Sequence, residues 1–359
     1  MSHPRITALI DTYNQGRFIE QAIESVLAQG FSAGELEILV VDDGSTDDTA
    51  ARVARFGERI RYIRKANGGQ ASALNLGFAE SRGEIIALLD GDDLWLPGKL
   101  RRVAEAFEKN PGTGMVYHPF EYWDEQRNTT WKDASFPAVS GHVPASAEAL
   151  LQYGDVSTSG MVFRRRALAQ LLPIPEELVI LADGHLAYLA IFVAPVVALR
   201  QHLTRYRIHA GNLCMFGRAD LLRTDRRATC SKAVAATVKK WLTARGLDRQ
   251  AEVAAYIRRH ELVAQMVRHF SYGATRWEFF RYLWEQQALY APVWPARYRH
   301  FRKLVAVMAI LTGYSGYHAL QRAFRRLTRV VAPGKTVFAA LNGEAGARRA
   351  AWHERALGT

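Results

Sequence analysis

Cysteine is nearly absent: two residues, Cys214 and Cys230, in a chain of 359. They fit no zinc or redox spacing and are too few for a disulfide framework, so a reducing, intracellular setting is expected. No apolar stretch of signal-peptide length precedes the first expected strand at residues 6–10, so the expectation is that nothing directs export. There is no internal repeat. No G-x-G-x-x-G follows the first strand and no G-x-x-x-x-G-K-[ST] occurs, which leaves dinucleotide and P-loop phosphate sites without support. Phosphate must be bound another way.

Acidic residues are scarce in the last third alone. Residues 216–359 hold 26 Lys and Arg against 9 Asp and Glu, whereas residues 1–100 hold 10 against 15 and residues 101–215 hold 11 against 11. The net charge of +12 is therefore no nucleic-acid footprint spread along the chain, and no nucleic-acid recognition motif accompanies it, so no nucleic-acid partner is expected. The asymmetry points to an acidic-to-neutral module that could hold a cation and a basic one that could sit on an anionic surface. With 49% hydrophobic and 11% aromatic residues the chain can bury a full core.

Short apolar runs alternate with helical patterns up to about residue 110: "ITALI", "EILVV", "IRYIRK" and "EIIALLD", each followed by an amphipathic stretch. Four such units predict a parallel, right-handed α/β sheet. Ser45, Thr46 and Asp47 are candidate helix caps, Pro97 suits a first helical position and Gly83 a helix end. Further strands are expected over 114–124 and 196–208, with "RRRALAQLL" and "ADGHLAYLAIFVA" as helices between them. From about 217 the pattern is helical, broken at Gly246, Gly273, Pro292/Pro295 and Gly313, and the tail from Pro333 is expected to be loosely ordered.

Ligands of an open α/β sheet gather at the carboxyl ends of its strands. Those ends carry Asp11, Thr12 and Tyr13; Asp42 and Asp43; Asn67, Gly68 and Gly69; and the cluster Asp90, Gly91, Asp92, Asp93. One polar end would be an ordinary turn, but four in succession converge on one sheet edge. Three carboxylates closing the buried run "IIALLDGDDLW" repel one another unless a cation joins them. Mn²⁺ or Mg²⁺ suits such a set, because these ions combine protein carboxylates with substrate phosphate oxygens.

"VVDDGSTDDT", "NGGQASALNLG" and "LLDGDDLW", in this order, resemble the signature set of the family 2 glycosyltransferases, over roughly residues 5–215. The resemblance implies a GT-A fold, a Rossmann-like, mostly parallel sheet flanked by helices, here followed by a helical C-terminal region. It implies transfer of a sugar from a nucleotide diphosphate donor, usually UDP-linked, with inversion at the anomeric carbon. By the same resemblance Thr12 and Asp43 are base-recognition positions, Asn67 belongs to the nucleotide-sugar site, Asp90 lies by the donor ribose and sugar, and Asp92 holds the metal. Asp93 extends the cluster. "LADGHLAYLA" matches the place of the family's acidic pair, with Ala182 first and Asp183 remaining, so Asp183 is the expected general base, a helix N-cap being its ordinary alternative. "RYRIHAGN" resembles the family's H-x-x-N segment: His209 is an expected metal ligand, and Arg207 is expected at the leaving diphosphate. Arg205 and Arg207 should share one strand face.

Two positions depart from the family pattern, Asp11 in place of Pro and Leu74 in place of Arg, and they leave the donor sugar open. The Q-x-x-R-W motif of processive synthases is absent, the nearest string being "QMVRH" at 265–269, so single-sugar transfer to a glycan or lipid-linked acceptor in cell-surface polysaccharide biosynthesis is expected. A sugar nucleotidyltransferase and an inactive membrane-associated scaffold are the alternatives. The expected organisation is a catalytic domain over 1–215, a basic, aromatic-rich helical region over 216–332 and the tail over 333–359. Leu304–Leu320 is too short and too polar to span a bilayer, but Arg and Lys beside Trp, Tyr and Phe suit an anionic membrane surface on the cytoplasmic face.

Overall fold

A computed structural model describes residues 5–132, 136, 138–154, 156–212 and 221–291, and between 293 and 311 all but 295–298, 301, 305 and 309. The expectations for Cys214, Gly313 and the tail lie outside the described residues.

The chain opens with β1 (Ile6–Thr12), α1 (Gly16–Leu27), β2 (Leu36–Asp42), α2 (Thr49–Ala54), β3 (Arg61–Arg64), α3 (Gln70–Glu80) and β4 (Ile85–Asp90). It continues through β5 (Leu94–Trp95), α4 (Lys99–Lys109), β6 (Met115–Tyr117), β7 (Phe120–Asp124), β8 (Thr129–Lys132), α5 (Ala147–Gln152), β9 (Met161–Arg164), α6 (Arg165–Leu168), α7 (Ala182–Ala190), β10 (Val196–Ala198) and β11 (Thr204–Ile208). Three helices follow, α8 (Leu221–Thr243), α9 (Ala251–Tyr272) and α10 (Arg276–Tyr290). A seven-stranded sheet has the order β10-β6-β9-β4-β1-β2-β3, with β9 antiparallel to both neighbours and the other pairs parallel. A four-stranded sheet has the order β5-β11-β7-β8. Every residue of β1 and β2 is buried, as a parallel sheet covered on both faces requires, and Ile10, Val40, Ala87 and Leu89 lie in the core that α1 and α4 close.

Several elements differ from expectation. Residues 114–124 are two strands in two sheets, parted at Pro119, which has no N–H to continue a ladder. The 196–208 run likewise divides into β10 and β11. "MVFR" is the buried antiparallel strand β9, too short to stand out, and the helix expected over "RRRALAQLL" contracts to α6. The N-cap position of α2 is Asp48, which makes no side-chain bond, and of the three candidates Asp47 serves this helix, its Oδ1 accepting from Thr49 N, the first amide of α2, at 3.0 Å, whereas Ser45 and Thr46 do not. Pro97 precedes Gly98, which occupies the N-cap of α4. Gly83 lies beyond the end of α3 and is required by close approach, since a Cβ there would sit 2.4 Å from the Thr7 nitrogen.

The chain divides into two compact units, Met1–Ala145 with Asp155–Leu213, and Ser146–Gly154 with Cys214–Thr359. The second unit is helical and takes in α5, which packs on α9. Its helices break at Gly246 and Gly273, as the sequence predicts. α10 begins with a capping box, Thr275 and Glu278 satisfying each other's backbone N–H groups, and buries Phe279, Tyr282 and Leu283 against Leu262 and Ala306. No helix among the described residues is long and apolar enough to cross a membrane.

Candidate active site

The loops after β1 and β2 are tied to each other. Asp42 Oδ1 accepts from Ser45 N at 2.7 Å, Asn14 N donates to Ser45 Oγ at 2.9 Å, and Thr46 N donates to Asn14 Oδ1 at 2.7 Å. Asp47 Oδ2 accepts from Gly16 N, the first amide of α1, at 2.9 Å while its Oδ1 accepts from Thr49 N, the first amide of α2, so this residue serves both helix starts and, with Ser45 and Thr46, joins the two strand ends. Thr12 accepts through its carbonyl from Asp43 N at 2.9 Å, and its hydroxyl donates to Gln15 Oε1 at 2.9 Å. It also lies against the third motif: a Cβ on Gly91 would come within 2.8 Å of Thr12 Oγ1.

Asp43 is buried. Its Oδ1 accepts from Lys65 Nζ at 2.8 Å and Gly68 N at 3.0 Å, and its Oδ2 from Gly69 N at 2.7 Å. The carboxylate thus shapes the N-G-G loop, leaving Asn67 exposed beside it. Gly69, at φ 87°, has a conformation an L side chain resists, and a Cβ would lie 2.6 Å from Val179 Cα.

The third motif gathers charge. One ligand atom from each of Asp90, Asp92 and Asp93 falls within 4.8 Å of the others. His209 Nε2 meets Asp92 Oδ2 at 3.0 Å, so the two residues expected at the metal are in contact. Burial, followed by the charges of Asp11, Asp93, Asp92 and Asp183, raises the Asp90 carboxyl well above its ordinary range; burial and Asp92 do the same to Asp93 against the pull of Ser159 and Arg207. Asp11 joins them from β1, directly opposite Asp90 in the ladder. It is pushed up to about 7 by burial and by Asp92 and Asp183, and its Oδ1 is buried with no hydrogen-bond partner among the described residues. Carboxylates crowded this way, one of them with a buried oxygen that no described residue bonds, fit a divalent cation by donor type and by charge.

Two cations support the cluster from behind. Lys99 is fully buried, its Nζ donating to the Ser159 carbonyl at 2.6 Å and to Thr204 Oγ1 at 3.1 Å and lying 4.4 Å from the Trp95 ring centre. Burial holds its pKa well below the usual lysine range, against the opposing attraction of Asp93. Arg207 does not present its guanidinium to a ligand, for its side chain is 0% exposed. It donates to the Asp92 carbonyl at 2.8 Å, to Glu125 at 2.9 Å and to Gln21 at 2.6 Å, while its backbone N–H reaches Asp93 Oδ1 at 2.9 Å. It therefore acts through Asp92 and Asp93. Arg205 and Arg207 both lie over the Trp123 ring, sharing a face as their alternation predicts.

Asp183 sits in the first turn of α7, not at its cap. The cap is Leu181, a leucine at φ 62°, a left-handed conformation costing about 1–2 kcal/mol. Asp183 Oδ1 accepts from Gly184 N at 2.9 Å and Oδ2 from Thr158 N at 3.3 Å. Of the stretch "TSGMVFRRR", Thr158 and Ser159 reach this site, the latter through Asp90 N at 3.0 Å, whereas Arg164 and Arg165 bond to backbone carbonyls of Phe107, Thr113, Ser81 and Gly83.

The family description "Glycosyl transferase family 2" matches residues 7–172, which hold all three motifs. An uncharacterized glycosyltransferase of Nostoc sp. is 36% identical over 217 residues, covering 58% of this chain and 66% of that protein. This chain belongs to glycosyltransferase family 2. A second member, an uncharacterized glycosyltransferase of Rickettsia conorii, is 37% identical over 131 residues, 35% of this chain and 21% of that one. The chain thus spans at most about two thirds of the length of these relatives. The fold recurs in S. aureus TarS 1–349 in complex with UDP, with TM-score 0.56 and 17% identity over 87% of this chain and 91% of that one. It recurs also in the mannosyltransferase PcManGT of Pyrobaculum calidifontis in complex with GDP-Man and Mn²⁺, with TM-score 0.52 and 18% identity over 89% and 83%. The sheet of this family 2 member is accordingly of GT-A type.

The sequence gives no sign of Lys99 or Gln70, and it places Asp11 at a strand end without assigning it a part in the carboxylate cluster. Lys99 carries no local signal, being one cation in "PGKLRR". Asp11 did carry one, an acidic residue ending an otherwise apolar buried strand.

Proposed function

We propose that this protein is a metal-dependent, inverting glycosyltransferase that moves one sugar from a nucleotide diphosphate donor, UDP-linked, to a glycan or lipid-linked acceptor in cell-surface polysaccharide biosynthesis. The observation that carries this reading is the convergence of Asp90, Asp92, Asp93 and Asp183 at one sheet edge, close enough for their charges to raise the Asp90 carboxyl. A divalent cation, Mn²⁺ or Mg²⁺, held by Asp92 with His209 beside it, would supply positive charge to the departing diphosphate. The chain's own groups do the rest. Asp43 fixes the N-G-G loop and, with Thr12 and Asn67, frames the base and ribose. Arg207 holds Asp92 and Asp93 in place through its bonds to the carbonyl of one and the carboxylate of the other. Asp183 takes the acceptor hydroxyl's proton as that oxygen attacks the anomeric carbon, and attack opposite the leaving group inverts it. TarS bound to UDP-GlcNAc and PcManGT bound to GDP-Man show this fold with such donors and support the reading.

The acceptor is proposed to be presented at the cytoplasmic membrane face. On α10, Trp277 is 63% and Trp284 47% exposed, with Phe280 between them, stacked on Trp277 at 5.3 Å and tilted against Trp284 at 5.7 Å, and Arg276 and Arg281 are exposed on the same helix. Leu304, Val307 and Leu311 are exposed as well. Rings and aliphatic side chains among arginines suit an anionic headgroup layer, so this region is proposed to dock there peripherally. A screen of UDP- and GDP-sugars with Mn²⁺, read as nucleotide release with and without lipid-linked acceptor, tests the function. Release from no donor under any metal condition would reject it.

A further inference from the structure

Gln70 follows the N-G-G motif and spends every hydrogen-bonding group of its side chain inside the site. Its Nε2 donates to Asp90 Oδ1 at 3.3 Å and to Thr158 Oγ1 at 3.1 Å, and its Oε1 accepts from Ala182 N at 3.1 Å. Its backbone N–H donates to the Val179 carbonyl at 3.0 Å. Thr158 N in turn donates to Asp183 Oδ2 at 3.3 Å. The bonds close a circuit: Gln70 to Thr158, Thr158 to Asp183, and back through the neighbouring Ala182 amide to Gln70. Asp90 is attached twice, through Gln70 and through Ser159 next to Thr158.

The circuit is needed because the start of α7 is not self-supporting. Ala182 N is an orphan amide of a first helical turn, and Leu181 before it is left-handed and offers no side-chain cap. Without a tether, Asp183 would move with a strained turn. A glutamine suits the task since its amide carries two donors and an acceptor on one rigid plane. Here the amide nitrogen reaches Asp90 and Thr158, and the acceptor faces the helix bearing the candidate base.

We propose that Gln70 is a positioning residue that fixes the distance between the donor carboxylate Asp90 and Asp183, acting on turnover through these two groups without touching either substrate. This rests on the transferase reading for its kinetic consequence but not for its structural one. Reaction across two groups demands their separation be held to fractions of an ångström, so loss of the tether lowers rate more than donor affinity.

The experiment compares wild type with Gln70→Leu, which removes both halves of the amide, and Gln70→Glu, which keeps an acceptor for Ala182 N. Hydrogen exchange of the peptide covering 179–186, the affinities for UDP and for GDP with Mn²⁺, and turnover at saturating donor are measured on the full chain. Gln70→Leu is expected to exchange faster at Ala182 and to lose about tenfold or more in turnover, with nucleotide affinity within about twofold. Gln70→Glu is expected to keep the exchange protection. Thr158→Val, which leaves the Thr158 N–H on Asp183, should lose less turnover than Gln70→Leu. Unchanged exchange in Gln70→Leu overturns the tether whatever the kinetics, and faster exchange with wild-type turnover overturns the positioning role. A wild-type chain that uses no donor would count against the transferase reading alone, and the exchange result would still decide the tether.

Discussion

At the sheet edge the carboxylates are buried or half-buried and held from several sides, whereas on α10 the conspicuous groups are apolar and stand in solvent. Asp11 is 8% exposed and Asp93 1%, while Trp277 is 63% exposed. Both arrangements are costly as they stand, one because charge is taken from water and the other because rings are left in it. On the proposed reading a cation and a phosphate-bearing ligand would relieve the first cost and an amphipathic surface the second. The two regions should therefore fail separately, the first in chemistry and the second in location.

The largest expected effect lies at the sheet edge. Asp92→Ala removes the carboxylate that meets His209, and transfer should fall to background together with Mn²⁺-dependent nucleotide binding, measured by nucleotide release and by titration calorimetry. Binding to anionic liposomes should be unchanged. Metal-dependent turnover at the wild-type level in this variant would break the comparison on its first side.

Asp183→Asn should lower turnover by about a hundredfold or more, the usual effect of removing a positioned base, while donor affinity persists. Steady-state kinetics separate the two, and a parallel loss of donor affinity and turnover would make Asp183 structural.

The carboxylate cluster also fixes a pH dependence. Asp11 titrates at about 7 in the folded chain, against about 3.9 for a free aspartate, so the native state binds the extra proton between these values. Stability of the metal-free chain therefore falls as pH rises from about 4 to about 7, by on the order of a few kcal/mol from this group if nothing compensates it. Burial beside Asp92 and Asp183 is the cause, and Asp90 and Asp93, raised likewise, push the same way. A cation removes that penalty. Mn²⁺ should raise the melting temperature by several degrees more at pH 7.5 than at pH 5, and equal shifts at both would contradict a carboxylate-bound metal.

The smallest effect belongs to α10. Replacing Trp277 and Trp284 together by Ser should reduce co-sedimentation with anionic liposomes at low salt severalfold and leave transfer to a soluble acceptor within about twofold. Unchanged binding would remove the aromatic face from the membrane proposal, and binding equal on neutral liposomes would remove the arginines.

Legibility followed the same division. The parallel order β3-β2-β1-β4 and the four polar strand ends could be read from alternating periodicity and abrupt Asp and Gly residues, because buried strands must stop where charge begins. What the motifs could not convey was direction. Arg207 reads as a diphosphate contact until Phe18, Trp123 and Glu125 are seen enclosing it, and no local pattern shows that the Asp43 carboxylate is taken up by Lys65 and the N-G-G loop. Gln70 and Lys99 were illegible for another reason. Their partners, Ala182 and Thr158 for one, Ser159 and Thr204 for the other, lie 60 to 112 residues away, and no local pattern records such pairings. β9 was hidden because four residues are too few to show a period.

Differential scanning with UDP, GDP and ATP, each with and without Mn²⁺, on the wild type and Asp92→Ala, tests most directly whether the sheet edge is a metal-dependent nucleotide diphosphate site. One nucleoside diphosphate should stabilise the wild type only when the metal is present, and neither condition should stabilise the variant. Equal stabilisation with and without Mn²⁺, or a shift that survives in Asp92→Ala, would contradict it.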